Sequence, residues 1–413
     1  MTNHQDEQGR PHLTVLVGAG ASVAIGIPST GALTELALQK LSEPDERFVD
    51  ARQHRQKLDA LVDAARAYYG EKHFNFEHLF EILEAADALK TAWTPGSAAT
   101  IAEASLTIVR PALAQLFDGT FIRDCVFILT RSTLEAVQAS SAAALQHPGW
   151  STYSQFWHAL AERFALTVGT LNYDPSVEQT LGLGPTHQGM SEVEGENVWR
   201  LDVNRLLDWG DEHRLFHLHG GVHFGGREYG TDQNRYAYED NFHELYWHAS
   251  PDAAMKTAWG RSAPRSQAGR TLVGGRIVSG LNKPDKLLVE PLASYYGEFG
   301  RAIVRCPRLL IVGYGFNDLH VNALLARLNR AHGSSRKIGV IDRIDPVSEH
   351  GSHARHRMLT ILHQWAEQSC RIDPDKKPYP LASSNGYLRL YWKGLEDAAH
   401  NVDALVNFMG APP

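Results

Sequence analysis

The run Leu13-Thr-Val-Leu-Val17 passes without a break into Gly18-Ala19-Gly20-Ala-Ser22 and on to Gly26-Ile27-Pro28. An apolar, β-branched strand that feeds a turn of small residues and then a helix start is the local signature of a βα unit, and the first helical turn presents backbone amides that suit a phosphate. The pattern returns near the other end of the chain, where Leu309-Leu-Ile-Val leads into Gly313-Tyr-Gly315-Phe316-Asn317-Asp318. Two such units in one chain constrain the fold to a sheet whose strands all end at one edge.

Further short strand signals lie at Ala165–Gly169, Leu215–His219, Lys286–Val289 and Lys337–Asp342, several separated by helical patterns such as Pro291–Arg305 and Asp318–Leu328. Strands that alternate with helices predict an α/β fold built on a Rossmann-like parallel sheet. From Ala32 to about Leu145 the pattern is helical, whereas Gly220–Gly280 is rich in Gly, His, aromatic and charged residues. The expected organisation is one sheet domain over 11–345 with a large helical insertion at 32–150 and a small excursion or lid at 220–282. A helix–strand–helix extension follows over 346–413, its strand at Tyr387–Trp392.

A chain of 413 residues with 43% hydrophobic content has ample core for this arrangement. A formal charge of -7 and a pI near 6.3 argue against a surface built for direct nucleic-acid binding. The polar start lacks a secretory signal and no run is long and apolar enough for a membrane, so the expected address is the cytoplasm. Cys125, Cys306 and Cys370 are too few and too scattered for a four-thiolate zinc site, and no zinc is expected.

Neither common phosphate motif fits the first turn. Val23 stands where G-x-G-x-x-G needs its third glycine, and no Gly-Lys-Ser/Thr follows. The small residues could serve packing alone, or Ser22 and the helix amides could hold phosphate. Asn172 and Asp174, in Gly169-Thr-Leu-Asn-Tyr-Asp-Pro175, follow a strand and can either face a ligand or cap the next helix. In His217-Leu-His219-Gly220-Gly221, strand alternation puts both His on one face. No further metal-ligand pattern accompanies them, so a general base is the better reading than a metal site, with His219 the candidate and His217 the better core residue. Asp342, at a strand end, could accept from a ribose diol or stand solvated.

Taken in order, Gly-Ala-Gly-Ala-Ser-x-x-x-Gly-Ile-Pro, Thr-x-Asn-Tyr-Asp, Leu-His-Gly and Gly-Tyr-Gly-Phe-Asn-Asp resemble the sirtuin-like superfamily, in particular the sirtuin-like domains of bacterial antiphage defence. The resemblance implies that Gly18, Ala19, Gly20 and Ser22 hold the phosphates of NAD and that Gly26, Ile27 and Pro28 line its nicotinamide pocket. It further implies that Asn172 positions the ribose or a water and Asp174 faces the nicotinamide end. His219 would be the catalytic base, and Gly313, Gly315, Phe316 and Asp318 would line the adenosine side. Ser29-Thr-Gly31 stands where deacylating sirtuins carry Asp-Phe-Arg, and the zinc module has no cysteines to form it, so protein deacylation is disfavoured.

The implied activity is that of an NAD glycohydrolase depleting NAD once activated by oligomerisation or by a partner, for which a homo-oligomer, a DNA translocase or a short Argonaute are the expected forms. A noncatalytic sensor of NAD or ADP-ribose, and a protein ADP-ribosyltransferase or deacylase, are the alternatives.

Overall fold

The computed structural model describes residues 9–42, 51–71, 74–91, 119–194, 196–208, 213–226, 244–257, 277–280, 283–344, 349–367 and 380–411. Its strands are β1 (His12–Val17), β2 (Ala165–Thr170), β3 (Met190–Val193), β4 (Val198–Leu201), β5 (Arg214–His217), β6 (Phe224–Gly225), β7 (Tyr246–His248), β8 (Arg308–Val312), β9 (Lys337–Ile341), β10 (Leu381–Ala382) and β11 (Leu388–Tyr391). The chain divides into two compact units. Residues up to Ile27, Ser140–Leu218 and Leu292 onward form the first, and Pro28–Ala139 with His219–Pro291 form the second.

The first unit contains a seven-stranded sheet in the order β10-β11-β9-β8-β1-β2-β5. Every neighbouring pair is parallel except β10 with β11. From β1 the chain adds β2 and β5 outward on one side, then crosses back to add β8, β9 and β11 on the other. This is a Rossmann-like doubly wound α/β sheet, and its order reverses between β1 and β8, where such sheets open a crevice at their carboxyl edge.

Alternation along the strands builds two apolar layers. Val15 and Val17 of β1, Leu166 and Val168 of β2, and Leu215 of β5 join one core with Tyr153, Phe156, Trp157 and Leu160 of the helix Trp150–Arg163. Leu405, Val406 and Met409 of the helix Val402–Met409 belong to the same core. Gly169 points the other way, and a Cβ there would come within 2.7 Å of the Phe299 ring of the helix Leu292–Arg305. Helix and strand are thus in contact through a position that only glycine fits.

The 346–413 stretch does more than extend the domain, because β11 pairs with β9 inside the sheet. Its preceding helix, Glu349–Ala366, is pinned by Arg336, which is 1% exposed. Arg336 donates Nε to the Trp365 carbonyl at 3.0 Å, pairs with Glu367 at 2.9 Å and lies 4.2 Å from the Tyr387 ring centroid. Arg336→Ala removes these contacts together and is expected to cost about 2 kcal/mol in chemical denaturation. A cost near zero would mean that this pin holds nothing.

Three local expectations change. Lys286–Val289 is no strand: Lys283–Lys286 is a short helix, and the Leu287 amide is spent on the Pro284 carbonyl rather than on a ladder. The segment after the second glycine turn is two helices, Leu319–Leu325 and Arg327–His332, with Ala326 between them. Finally, β5 stops at His217, so His219 lies beyond the strand.

In the second unit, helices Thr30–Ser42, Ala51–Tyr69 and Phe76–Thr91 and most of Gly119–Ala144 accompany the β6–β7 hairpin and the helix Pro251–Lys256. Sequence-distant parts are cross-braced there. Thr34 Oγ1 accepts from the Phe76 amide at 2.9 Å, Lys283 reaches Glu77 at 3.0 Å, and Gln138 donates to Asp252 at 2.7 Å. No helix among the described residues is long and apolar enough to cross a membrane.

Candidate functional site at the carboxyl edge of the sheet

The register aligns the strand ends. His217 pairs with Thr170, Thr170 with Val17, Val17 with Val312, Val312 with Ile341 and Ile341 with Tyr391, so one row crosses the sheet. The residues just past this row continue the ladder. Leu218 N donates to Thr170 O, Leu171 N to Val17 O, Gly18 N to Val312 O, Gly313 N to Ile341 O and Asp342 N to Tyr391 O. Four segments named from the sequence, those after β1, β2, β8 and β9, therefore leave the sheet at one level within the first unit.

At the reversal point the two glycine turns touch backbone to backbone. Gly20 N donates to Gly313 O at 2.9 Å, and Gly313 holds φ +65°. A Cβ on Gly18 would lie 2.6 Å from Gly313 O, and one on Gly313 would lie 2.0 Å from Ala21 N. The amides of Gly18 and Gly20 are thus committed inside the fold, and what these glycines supply is close approach of the turns. Ala19 and Gly20 are exposed on the short helix Ala19–Val23, while Ser22 is buried. Gly26 takes φ +84° against the His147 ring, and Ile27 is a core residue at 6% exposure. Pro28 begins the second unit.

Ser22 instead anchors a buried polar cluster. Asn172 Nδ2 donates to Ser22 Oγ at 3.0 Å, and the Asn172 amide donates to Thr170 Oγ1 at 3.1 Å. Asn172 is 7% exposed, and its Oδ1 is buried with no hydrogen-bond partner. An unmet buried acceptor costs on the order of 1–3 kcal/mol, so a site that retains one is poised for a donor from outside. Asp174 accepts from the Ser176 amide at 3.1 Å, which makes it a turn-forming residue at the entrance to the helix Ser176–Leu181 as well as a cluster member. Burial pushes its carboxyl above the ordinary range, against the opposing pull of hydrogen bonds from Ser176 and Ser22 and the nearby His217. The Tyr153 phenol beside it is raised further still, chiefly by burial and then by the Asp174 charge.

Glu178 and Tyr153, both of this cluster, escaped the sequence reading. His217 was the better candidate for a backbone-satisfied core histidine, yet its Nε2 lies 2.6 Å from Glu178 Oε2, with side chains 4% and 6% exposed. The signal was available in Asn172-Tyr-Asp174-Pro-Ser-Val-Glu178, where Glu178 sits one helical turn beyond Asp174. Tyr153 carried no such signal, since aromatic residues at helical spacing read as core.

On the opposite side of the reversal point, the turn after β8 is held by its own residues. Asn322 donates to Phe316 O at 3.0 Å, and the Tyr314 hydroxyl accepts from the Asp318 amide at 3.2 Å. Phe316 takes φ 57° and buries its ring 4.9 Å from Tyr314 and 5.8 Å from Trp365. Gly315 is exposed, Asp318 is half-buried as the helix N-cap, and Arg357 donates to the exposed Asn317.

Asp342 sits one residue past the row, its Oδ1 accepting from the Arg343 amide at 2.9 Å. Desolvation pushes its carboxyl up to about 6. A folded-state value above the unfolded one means that the fold binds this proton more tightly, so stability falls as pH rises from about 4 through 6. The side chain retains some exposure, which discounts the effect. Asp342→Asn is expected to raise stability at pH 7.5 by on the order of 1 kcal/mol, with the gain vanishing toward pH 4. Thermal melts across that range check it, and a gain that persists at pH 4 would refute the assignment.

His219, two residues beyond the row along the chain, is 4% exposed, and its carbonyl accepts from the Val278 amide at 2.9 Å within the second unit. No known protein family matches the chain, and a comparison with curated proteins finds no significant similarity.

Proposed function

We propose that this chain is an NAD glycohydrolase, releasing nicotinamide and leaving ADP-ribose. The observation that carries the reading is the unmet Asn172 Oδ1, fixed through Nδ2 to Ser22 beside the point where the strand order reverses. Dinucleotides bind across such crevices, one half on each side. Ser22, Asn172 and Asp174 would serve the nicotinamide half, and the turn Gly313–Asp318 with Asp342 the adenosine half.

As nicotinamide departs, the ribose gains oxocarbenium character and needs a water held on its open face. An acceptor fixed by its own second hydrogen bond orients that water or a ribose hydroxyl without reorganising at the moment of reaction. His219, the base that the sequence resemblance implies, would take the proton. A chain that destroys NAD must be silent at rest, so the reading includes activation by self-association or by a partner of antiphage defence, a DNA translocase or a short Argonaute among them.

Chromatography of products after incubation with NAD, alone and with candidate activating partners, tests this. Wild type should yield equal amounts of nicotinamide and ADP-ribose, and His219→Ala should fall by roughly 10²- to 10⁴-fold. Binding of NAD with no release of nicotinamide under any of these conditions would identify a sensor instead.

A further inference from the structure

We propose that Glu178 and His217 form a buried ion pair that positions Asn172, making both of them positioning residues of the hydrolytic site; this rests on the hydrolase reading above. The 171–175 loop leaves β2 and enters the helix Ser176–Leu181. Its first end is fastened by Leu171 N on Val17 O at 2.9 Å and by Asn172 N on Thr170 Oγ1. Its far end is held by the short helix, which sets Val177 in the core and Thr180 O 2.9 Å from His158 Nε2, and additionally by Glu178. That side chain reaches back over the sheet edge to His217, the β5 residue in register with Thr170. The segment from Thr170 to Glu178 is thereby closed into a loop, leaving β2 at one end and returned through His217 to β5, the strand paired with β2, at the other.

The groups around the imidazole favour its charged form. Burial opposes a charge there, but Glu178, then Asp174, then the Asn172 backbone outweigh it, and the ring titrates above its ordinary range. A bystander core histidine has no need of a buried carboxylate. Here the pair joins the helix that follows the Asn172 loop to the strand paired with β2, and Asn172 Oδ1 is a buried acceptor without a partner.

The test has a wild-type arm and a variant arm. In ¹⁵N-histidine spectra of the intact chain, the His217 ring should remain doubly protonated at pH values where an ordinary histidine has lost its proton, and a neutral ring at pH 7 overturns the proposal. Glu178→Gln keeps the shape and one hydrogen bond. It should shift the Asn172 side-chain amide resonances and lower kcat for nicotinamide release by roughly 10- to 100-fold, with KM for NAD little changed. It should also make the remaining kcat fall with rising pH as the ring deprotonates. A folded Glu178→Gln protein with unchanged Asn172 resonances, or with wild-type kcat and pH profile, overturns it; a lowered melting temperature with unaltered kcat makes the pair structural only. If wild type releases no nicotinamide under any condition, the hydrolase reading fails, and the pair is still decided by the two spectroscopic outcomes.

Discussion

Asn172→Ala is expected to reduce nicotinamide release about 10³-fold while leaving the affinity for ADP-ribose within a few-fold of wild type. The reasoning is differential. An acceptor that the folded protein leaves empty contributes nothing to the resting state, so a hydrogen bond made to the attacking water or the developing ribose is realised only on the way to the transition state. A thousandfold loss corresponds to about 4 kcal/mol of barrier, the size of a lost preorganised contact in a dry site. Stability should move far less, because alanine takes away one hydrogen bond to Ser22 and leaves the Ser22 hydroxyl its bond to Asp174. Asn172→Asp provides the complementary case. It keeps an oxygen at Oδ1 but removes the donor to Ser22 and sets a second carboxylate near Asp174, so it should be as inactive as alanine. Full activity in either variant would end the case for Asn172 as the group that orients the reactants.

The sheet was legible because its signals are local. Apolar β-branched runs that end in glycine mark strand ends, and β1, β2, β5, β8 and β9 fall within a residue or two of where those runs lie. The row His217, Thr170, Val17, Val312, Ile341 then brings the separate motifs to one level, which no single motif could state. What escaped depends on pairing over distance. Lys286–Val289 is a short apolar run like a buried strand, but a strand exists only where a partner offers a ladder, and a helical turn took the Leu287 amide instead. The glycines of both turns read as ligand-facing because sequence carries no sign of what a backbone approaches, and here Gly18 and Gly20 approach another backbone. His217 is buried as expected of a core histidine, but its carboxylate partner could not be read for the same reason. Its partner lies 39 residues away, on the helix that follows the very loop under scrutiny.

Gly313→Ala is expected to destabilise the protein by at least ~4 kcal/mol or to prevent folding, whereas Gly315→Ala, two residues on, should stay within about 0.5 kcal/mol of wild type. Residue 313 needs a left-handed backbone at φ +65°, which costs an alanine about 1–2 kcal/mol by itself. The larger part is steric. A methyl 2.0 Å from Ala21 N and 2.4 Å from the Gly20 carbonyl carbon faces rigid backbone, so relief requires the β8 turn to part from the β1 turn and give up the bond from Gly20 N to Gly313 O. A Cβ on Gly315 meets only the Asn317 side-chain amide at 3.3 Å, an exposed group that can swing aside. Chemical denaturation of the two variants side by side decides the matter without reference to any activity. Equal tolerance would mean that the glycine turns are not in contact, and the floor of the crevice at the reversal point would be lost with it.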